Sequence, residues 1–208
     1  MHIGIIGAGN IGTTTARLFV DAGHQVAISN SRGPESLVGL VAALGPNARA
    51  MTVDDAAAFG DVVLVAIPFG RYETLPSARL AGKIVVDAMN YYAQRDGRRD
   101  FGDRTSSELV AQHLRGARLV KAFNTMSYQT LATAGRHDGP TEERLALFVA
   151  GDDPEAKRVI ARLIEALGFA PVDTGSLRDG GRRQQSGAPI YNQPLAVAQA
   201  RERLATGA

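Results

Sequence analysis

Hydrophobic and polar positions along this chain follow two rhythms in turn. Short apolar runs rich in Val and Ile read as strands: His2 to Ile6, Gln25 to Ser29, Ala50 to Val53, Val62 to Ile67, Lys83 to Asp87, Leu119 to Phe123, Ala146 to Ala150 and Ala170 to Asp173. Between them lie stretches with helical spacing. Helices are predicted over Ile11 to Ala22, Glu35 to Leu44, Asp54 to Ala58 and Ser106 to Leu114, the last opened by a capping box at Thr105-Ser106-Ser107-Glu108. Asp153 and Pro154 start another, whose stripe of Ala156, Val159, Ile160, Leu163, Ile164 and Leu167 ends at Gly168. Strands alternating with helices predict an α/β fold with a doubly wound, mostly parallel sheet covered on both faces. The rhythm breaks twice. Asn90 to Arg104 is polar and too long for a tight connection, which marks a functional loop or lid. From Gly175 the composition shifts to Gly, Arg, Gln and Pro until a short helix over Leu195 to Leu204, so a main domain of 1–174 and a tail of 175–208 are expected.

The first strand runs into Gly7-Ala8-Gly9-Asn10-Ile11-Gly12 and then a helix, the context in which a G-x-G-x-x-G turn seats a dinucleotide. Gly7 permits the tight turn, Gly9 lets the backbone approach a pyrophosphate, and Gly12 allows close helix packing. The helix points its free N–H groups and its positive dipole end at the phosphates, and Asn10 and Ile11 of the turn join the glycines as cofactor-binding candidates. The sheet is therefore expected to be of the Rossmann type. The second strand ends in Ser29-Asn30-Ser31-Arg32, where an Asp or Glu would hold a free ribose 2′-hydroxyl. With no carboxylate and several donors present, these residues favour NADP(H) over NAD. The competing reading is a plain polar turn closed by Gly33-Pro34.

Composition narrows the function classes. A net charge of +2 with acidic and basic residues interspersed argues against nucleic acid as a partner. The longest apolar runs are strand-sized, so no membrane span is expected. A strand starting at residue 2 and the absence of Cys lead us to expect no signal peptide and a cytoplasmic protein. Thiol catalysis and thiolate metal sites are excluded, and the four His residues show no ligand spacing, so no metal site is expected.

Seven motifs then occur in a telling order: Gly7-Ala8-Gly9-Asn10-Ile11-Gly12, Ser31-Arg32, Ala66-Ile67-Pro68, Asp87-Ala88-Met89-Asn90, Lys121-Ala122-Phe123-Asn124, Gly151-Asp152-Asp153 and Gly175-Ser176-Leu177. Over roughly residues 1 to 177 the chain resembles the NADPH-dependent coenzyme F420 reductases and the related nucleotide-binding domain of the transmembrane metalloreductases. The resemblance implies an NADP(H)-dependent oxidoreductase that passes hydride between NADPH and a deazaflavin (coenzyme F420) or a flavin-type ring such as FMN or FAD. It also implies a homodimer. Asn124 stands where the deazaflavin reductases usually carry His, and resembles the metalloreductase version.

Hydride transfer between two stacked rings needs positioning groups more than acid-base machinery, so no catalytic residue is assigned. Ligands of an open parallel sheet sit outside the carboxyl ends of its strands. Ala66, Ile67 and Pro68 are accordingly expected along the nicotinamide half, with Asn90, Asn124 and Thr125 as hydrogen-bonding candidates. Asn90 can equally cap its strand. Asp152 and Asp153 read as helix capping. Arg95, Arg98, Arg99 and Arg104 form either a solvated loop or contacts to an acceptor's anionic group. Besides a reductase using a small-molecule redox acceptor, a non-catalytic NADPH sensor and an NADPH-dependent flavin or ferric reductase fit the same residues.

Overall fold

The computed structural model describes residues 1–206. One sheet carries eight strands: β1 (His2–Ile6), β2 (Gln25–Ser29), β3 (Ala48–Ala50), β4 (Val62–Val65), β5 (Ile84–Asp87), β6 (Arg118–Lys121), β7 (Ala146–Gly151) and β8 (Ala170–Gly175). Their order is β3-β2-β1-β4-β5-β6-β7-β8. Every neighbouring pair is parallel except β6 and β7, so the sheet is the mostly parallel, doubly wound one its pattern predicts. The helices are α1 (Asn10–Asp21), α2 (Val38–Leu44), α3 (Val53–Phe59), α4 (Ser77–Leu80), α5 (Ala93–Asp96), α6 (Ser106–His113), α7 (Tyr128–Thr133), α8 (Pro154–Ala166), α9 (Asp179–Arg183) and α10 (Val197–Thr206).

Alternate residues of each central strand point into two separate cores. Ile3, Ile5, Leu64 and Val86 meet α1, α7 and α8 through Ala16, Phe19, Leu131, Ile160 and Ile164. Ile6, Val63, Val65 and Val85 meet α3, α4 and α6 through Ala57, Leu80 and Val110. This two-sided burial is why β4 and β5 read as unbroken apolar runs. The segment after β8 packs against the sheet as well. Ile190, Leu195, Val197 and Ala200 cover Phe148 and Val172, and Leu145 bridges to Ala196.

Local chemistry moves several element ends. Thr52, whose side chain accepts the Asp55 N–H, caps α3, so the chain is already turning at residues 51–53 and the third strand occupies Ala48–Ala50 instead of 50–53. The predicted helix over 35–44 divides into a 3₁₀ turn at Pro34–Leu37 followed by α2. The polar stretch 90–104 contains the single turn α5. Strand β6 stops at Lys121 because Phe123, buried at 1% exposure, adopts a left-handed φ of 63°. The capping box at Thr105 and Glu108 forms in both directions, and Asp153 accepts from the Glu155 and Ala156 N–H groups.

Candidate functional site

A cleft of about 920 Å³ lies at the carboxyl ends of β1, β2 and β4. The chain leaves β1 toward β2 on one side and returns past it to β4 on the other, so this is the point where strand order reverses. Gly7 and Gly9 line it, and Gly12 packs behind Gly7. Gly7 has φ 111°, and a Cβ there would stand 2.4 Å from the Ala66 carbonyl oxygen. At Gly12 a Cβ would stand 1.8 Å from the Gly7 oxygen, which only glycine permits. Gly9 is different: a Cβ there meets nothing within 4 Å and would project into open space. Gly9 is also the N-cap of α1 and supplies no side-chain cap, which leaves the helix end with donors to offer.

The far end of the cleft is the turn after β2. Asn30 spends its side chain on the turn itself, accepting the Arg32 N–H at 2.9 Å and donating to the Ser36 hydroxyl at 2.9 Å. That Asx turn presents Ser31 and the exposed Arg32 to the cleft. Ser29 is fully buried and donates to the Ile5 carbonyl at 3.0 Å, bracing β1 against β2 behind the cleft wall. Ala66, Ile67 and Pro68 form the opposite wall.

Arg71, Asp54 and Asp96 also line the cleft and escaped sequence reasoning; Arg95, singled out only as part of a basic loop, lines it too. Arg71 lies in the 3₁₀ turn that directly follows Pro68, so extending the strand-end rule by one turn would have found it. Asp96 has a side chain 1% exposed and accepts from Gly70 N–H at 3.1 Å, Tyr92 N–H at 2.9 Å and both arms of Arg95. Burial pushes its carboxyl up, but Arg95 and the two backbone donors outweigh burial and hold it below the usual carboxylate range. Arg95 also donates to the Asn90 carbonyl and stacks over the Tyr92 ring at 4.8 Å. The 90–96 segment is thereby fastened to the edge of the cleft at Gly70.

Asn90, Asn124 and Thr125 gather at a second place, the ends of β5 and β6. Asn90 Nδ2 donates to the Asn124 carbonyl at 2.8 Å, and Asn124 Nδ2 donates back to Asn90 Oδ1 at 3.1 Å. Asn124 Nδ2 further reaches the Gln184 carbonyl at 2.8 Å, and the Thr125 carbonyl accepts from Asn192 N–H, so the segment after α9 covers both residues. The left-handed Phe123 immediately before turns Asn124 inward, a backbone strain of the kind that persists at functional sites. Asn124 Oδ1 and Gln184 Oε1 are buried without a hydrogen-bond partner among the described residues. Asn10, Ile11 and Gly12 stand at the start of α1, below the open space at Gly9.

Chemically, the first region offers donors to a pyrophosphate at α1 and to a further phosphate at Ser31 and Arg32. Among the described residues no group of three His, Cys, Asp or Glu side chains could hold a metal ion, and no helix is long and apolar enough to cross a membrane.

Residues 2–91 match the family described as NADP oxidoreductase, coenzyme F420-dependent. The rat metalloreductase STEAP3 is 31% identical over 177 residues, 84% of this chain but 34% of its own length. The chain thus spans about a third of the length of the curated metalloreductases it matches. Among solved structures, a hypothetical protein of Sinorhizobium meliloti is 37% identical with a TM-score of 0.83, covering 94% of this chain and 95% of the other. A candidate F420-dependent NADP reductase from Arthrobacter sp. is 25% identical with a TM-score of 0.73, covering 93% and 98%. Over residues 2–91 the chain is thus similar to the coenzyme F420-dependent NADP oxidoreductases, and over most of its length to about a third of the metalloreductases.

Proposed function

We propose that this chain transfers hydride between NADPH and a deazaflavin or flavin-type acceptor, coenzyme F420 being the first to test. The observation that carries the reading is the cleft itself. Its glycine turn is open at Gly9, and its β2 end presents Ser31 and Arg32 with no carboxylate at positions 29–32. In the bound state we assign the pyrophosphate to the amino end of α1 and the adenosine 2′-phosphate to Ser31 and Arg32, with Arg71 as a further cation. The wall formed by Ala66, Ile67 and Pro68 would hold the nicotinamide half against the sheet edge and keep water from one face. When bound, the nicotinamide supplies the hydride; the chain's own residues supply orientation and exclusion of solvent.

A second reading, an NADPH-dependent flavin or ferric reductase, draws support from Asn124 and from the identity with the metalloreductase. We further propose a homodimer, which rests on the family resemblance, and a cytoplasmic setting. The discriminating experiment is NADPH oxidation run in parallel with coenzyme F420, FMN, FAD and ferric chelates, with NADH as the control donor. Turnover with F420 supports the deazaflavin acceptor, and turnover with FMN, FAD or ferric chelates the flavin or ferric one. NADP binding without turnover on any acceptor would leave the chain a sensor of the NADPH balance and overturn both. Sedimentation of the full chain tests the dimer.

A further inference from the structure

A second cavity, of about 310 Å³, opens between the ends of β5 and β6, the first turn of α6 and the segment after α9, and it shares no lining residue with the nucleotide cleft. Its polarity is one-sided. Lys121, Arg104 and Arg182 line it, and no Asp or Glu does.

The three cations are held differently. Lys121 is 1% exposed and donates to Asp87 Oδ2 at 3.1 Å and to the Met89 carbonyl. Asp87 Oδ2 also accepts from the Ser107 hydroxyl at 2.7 Å, and its Oδ1 accepts from Met89 N–H at 3.0 Å. The Lys121 charge is therefore balanced beneath the cavity floor, while one of its three ammonium protons has no partner in that set. Arg104 donates to Gln112 Oε1 at 2.7 Å and Arg182 to the Asp103 carbonyl at 2.6 Å, both neutral acceptors. Neither arginine forms an ion pair among the described residues. The one carboxylate in the first turn of α6, Glu108, is turned back to the Thr105 N–H. Two positive charges are thus oriented at the cavity with no counterion, beside the hydroxyl of Ser106 and the positive end of α6. The remaining wall is aromatic: Tyr91 and Phe101 meet edge-on with centroids 4.7 Å apart, each only partly buried.

We propose that this cavity is an oxyanion site that takes a carboxylate or phosphate group carried on a flat apolar body. The arginines and Lys121 would bind the oxyanion and the Tyr91–Phe101 wall would bind the apolar part. The assignment is independent of what occupies the nucleotide cleft.

The test is a titration of the full chain with benzoate, inorganic phosphate and neutral benzamide, followed through the backbone amide resonances of Gly102 and Ser106. Benzoate or phosphate should move both resonances saturably and benzamide should not. The stronger of the two anions identifies the source as an aromatic carboxylate or a phosphate. Arg104→Gln and Arg182→Gln should each weaken the anion about tenfold, the loss of one charge-assisted hydrogen bond. Arg32→Ala should leave it unchanged, which separates this site from the nucleotide cleft. The proposal is overturned if neither anion moves these amides, if benzamide moves them equally, if the arginine variants bind as the parent does, or if Arg32→Ala alone abolishes binding.

Discussion

Lys121 and Asp87 form an ion pair of 3.1 Å with both side chains 1% exposed, on adjacent parallel strands whose carboxyl ends carry Asn90 and Asn124. A buried pair of this kind contributes less to net stability than it does to position, because desolvation offsets most of the attraction. Removing one partner is another matter.

Lys121→Met leaves the Asp87 carboxylate buried with only Ser107 and Met89 N–H as partners, and is expected to destabilise the fold by about 3 kcal/mol. Chemical denaturation measures this directly. The double change Lys121→Met with Asp87→Leu should recover part of the loss, since no buried charge is then stranded. If the single change proves neutral, the pair has no such role.

Glycines 9 and 12 should separate binding from folding. Gly12→Ala drives a Cβ against the Gly7 carbonyl, 1.8 Å away, and should destabilise by at least about 1–3 kcal/mol. Gly9→Ala meets no neighbour, so the midpoint of thermal unfolding should stay near the parent's while NADP affinity falls on the order of tenfold. Calorimetry beside a melting curve distinguishes the two variants, and unaltered NADP affinity in Gly9→Ala would remove the pyrophosphate from this turn.

Arg32→Ala deletes the guanidinium that the turn after β2 presents to the cleft. NADPH should weaken by about 10- to 100-fold, the worth of one charge-assisted contact, while NADH changes little. Equal losses for the two donors would unseat the 2′-phosphate assignment.

Asp96 links the 90–96 loop to Gly70, and its carboxyl is held below the ordinary 3.8. A depressed value in the fold means that its stabilising contribution is complete above the unfolded-state value and is lost as pH falls through the folded one. Acid unfolding of the parent should therefore steepen below about pH 4, and Asp96→Asn should flatten that part of the curve. Hydrogen exchange at Gly70 and Tyr92 N–H should quicken in the variant at neutral pH. A variant with the parent's acid profile and exchange rates would show that the clamp carries no energy.

Much of this molecule was legible residue by residue. The glycine turn, the capping box at Thr105 and the cap at Asp153 are local chemistry, decided within four residues of chain, and the structure reproduces them. The strand runs of β4 and β5 were equally plain, because burial on both faces leaves no polar position to blur the pattern. Element ends were harder. The third strand lies two to three residues before the 50–53 run that the pattern predicts, because Thr52 can end a strand or cap α3, and only the Asp55 N–H settles which.

What the sequence alone determined was the sheet, the glycine turn and the carboxylate-free end of β2, since each follows from short-range spacing and side-chain type. Tertiary structure decided the rest. Ser29 faces inward to Ile5, Arg71, Arg95 and Asp96 join the cleft, and residues far apart in the chain, Lys121 with Asp87 and Asn124 with Gln184, meet at the strand ends. Such pairings depend on which strands become neighbours and how the segment after β8 folds back, and these are outcomes of packing the whole chain into one set of cores, which no local window contains.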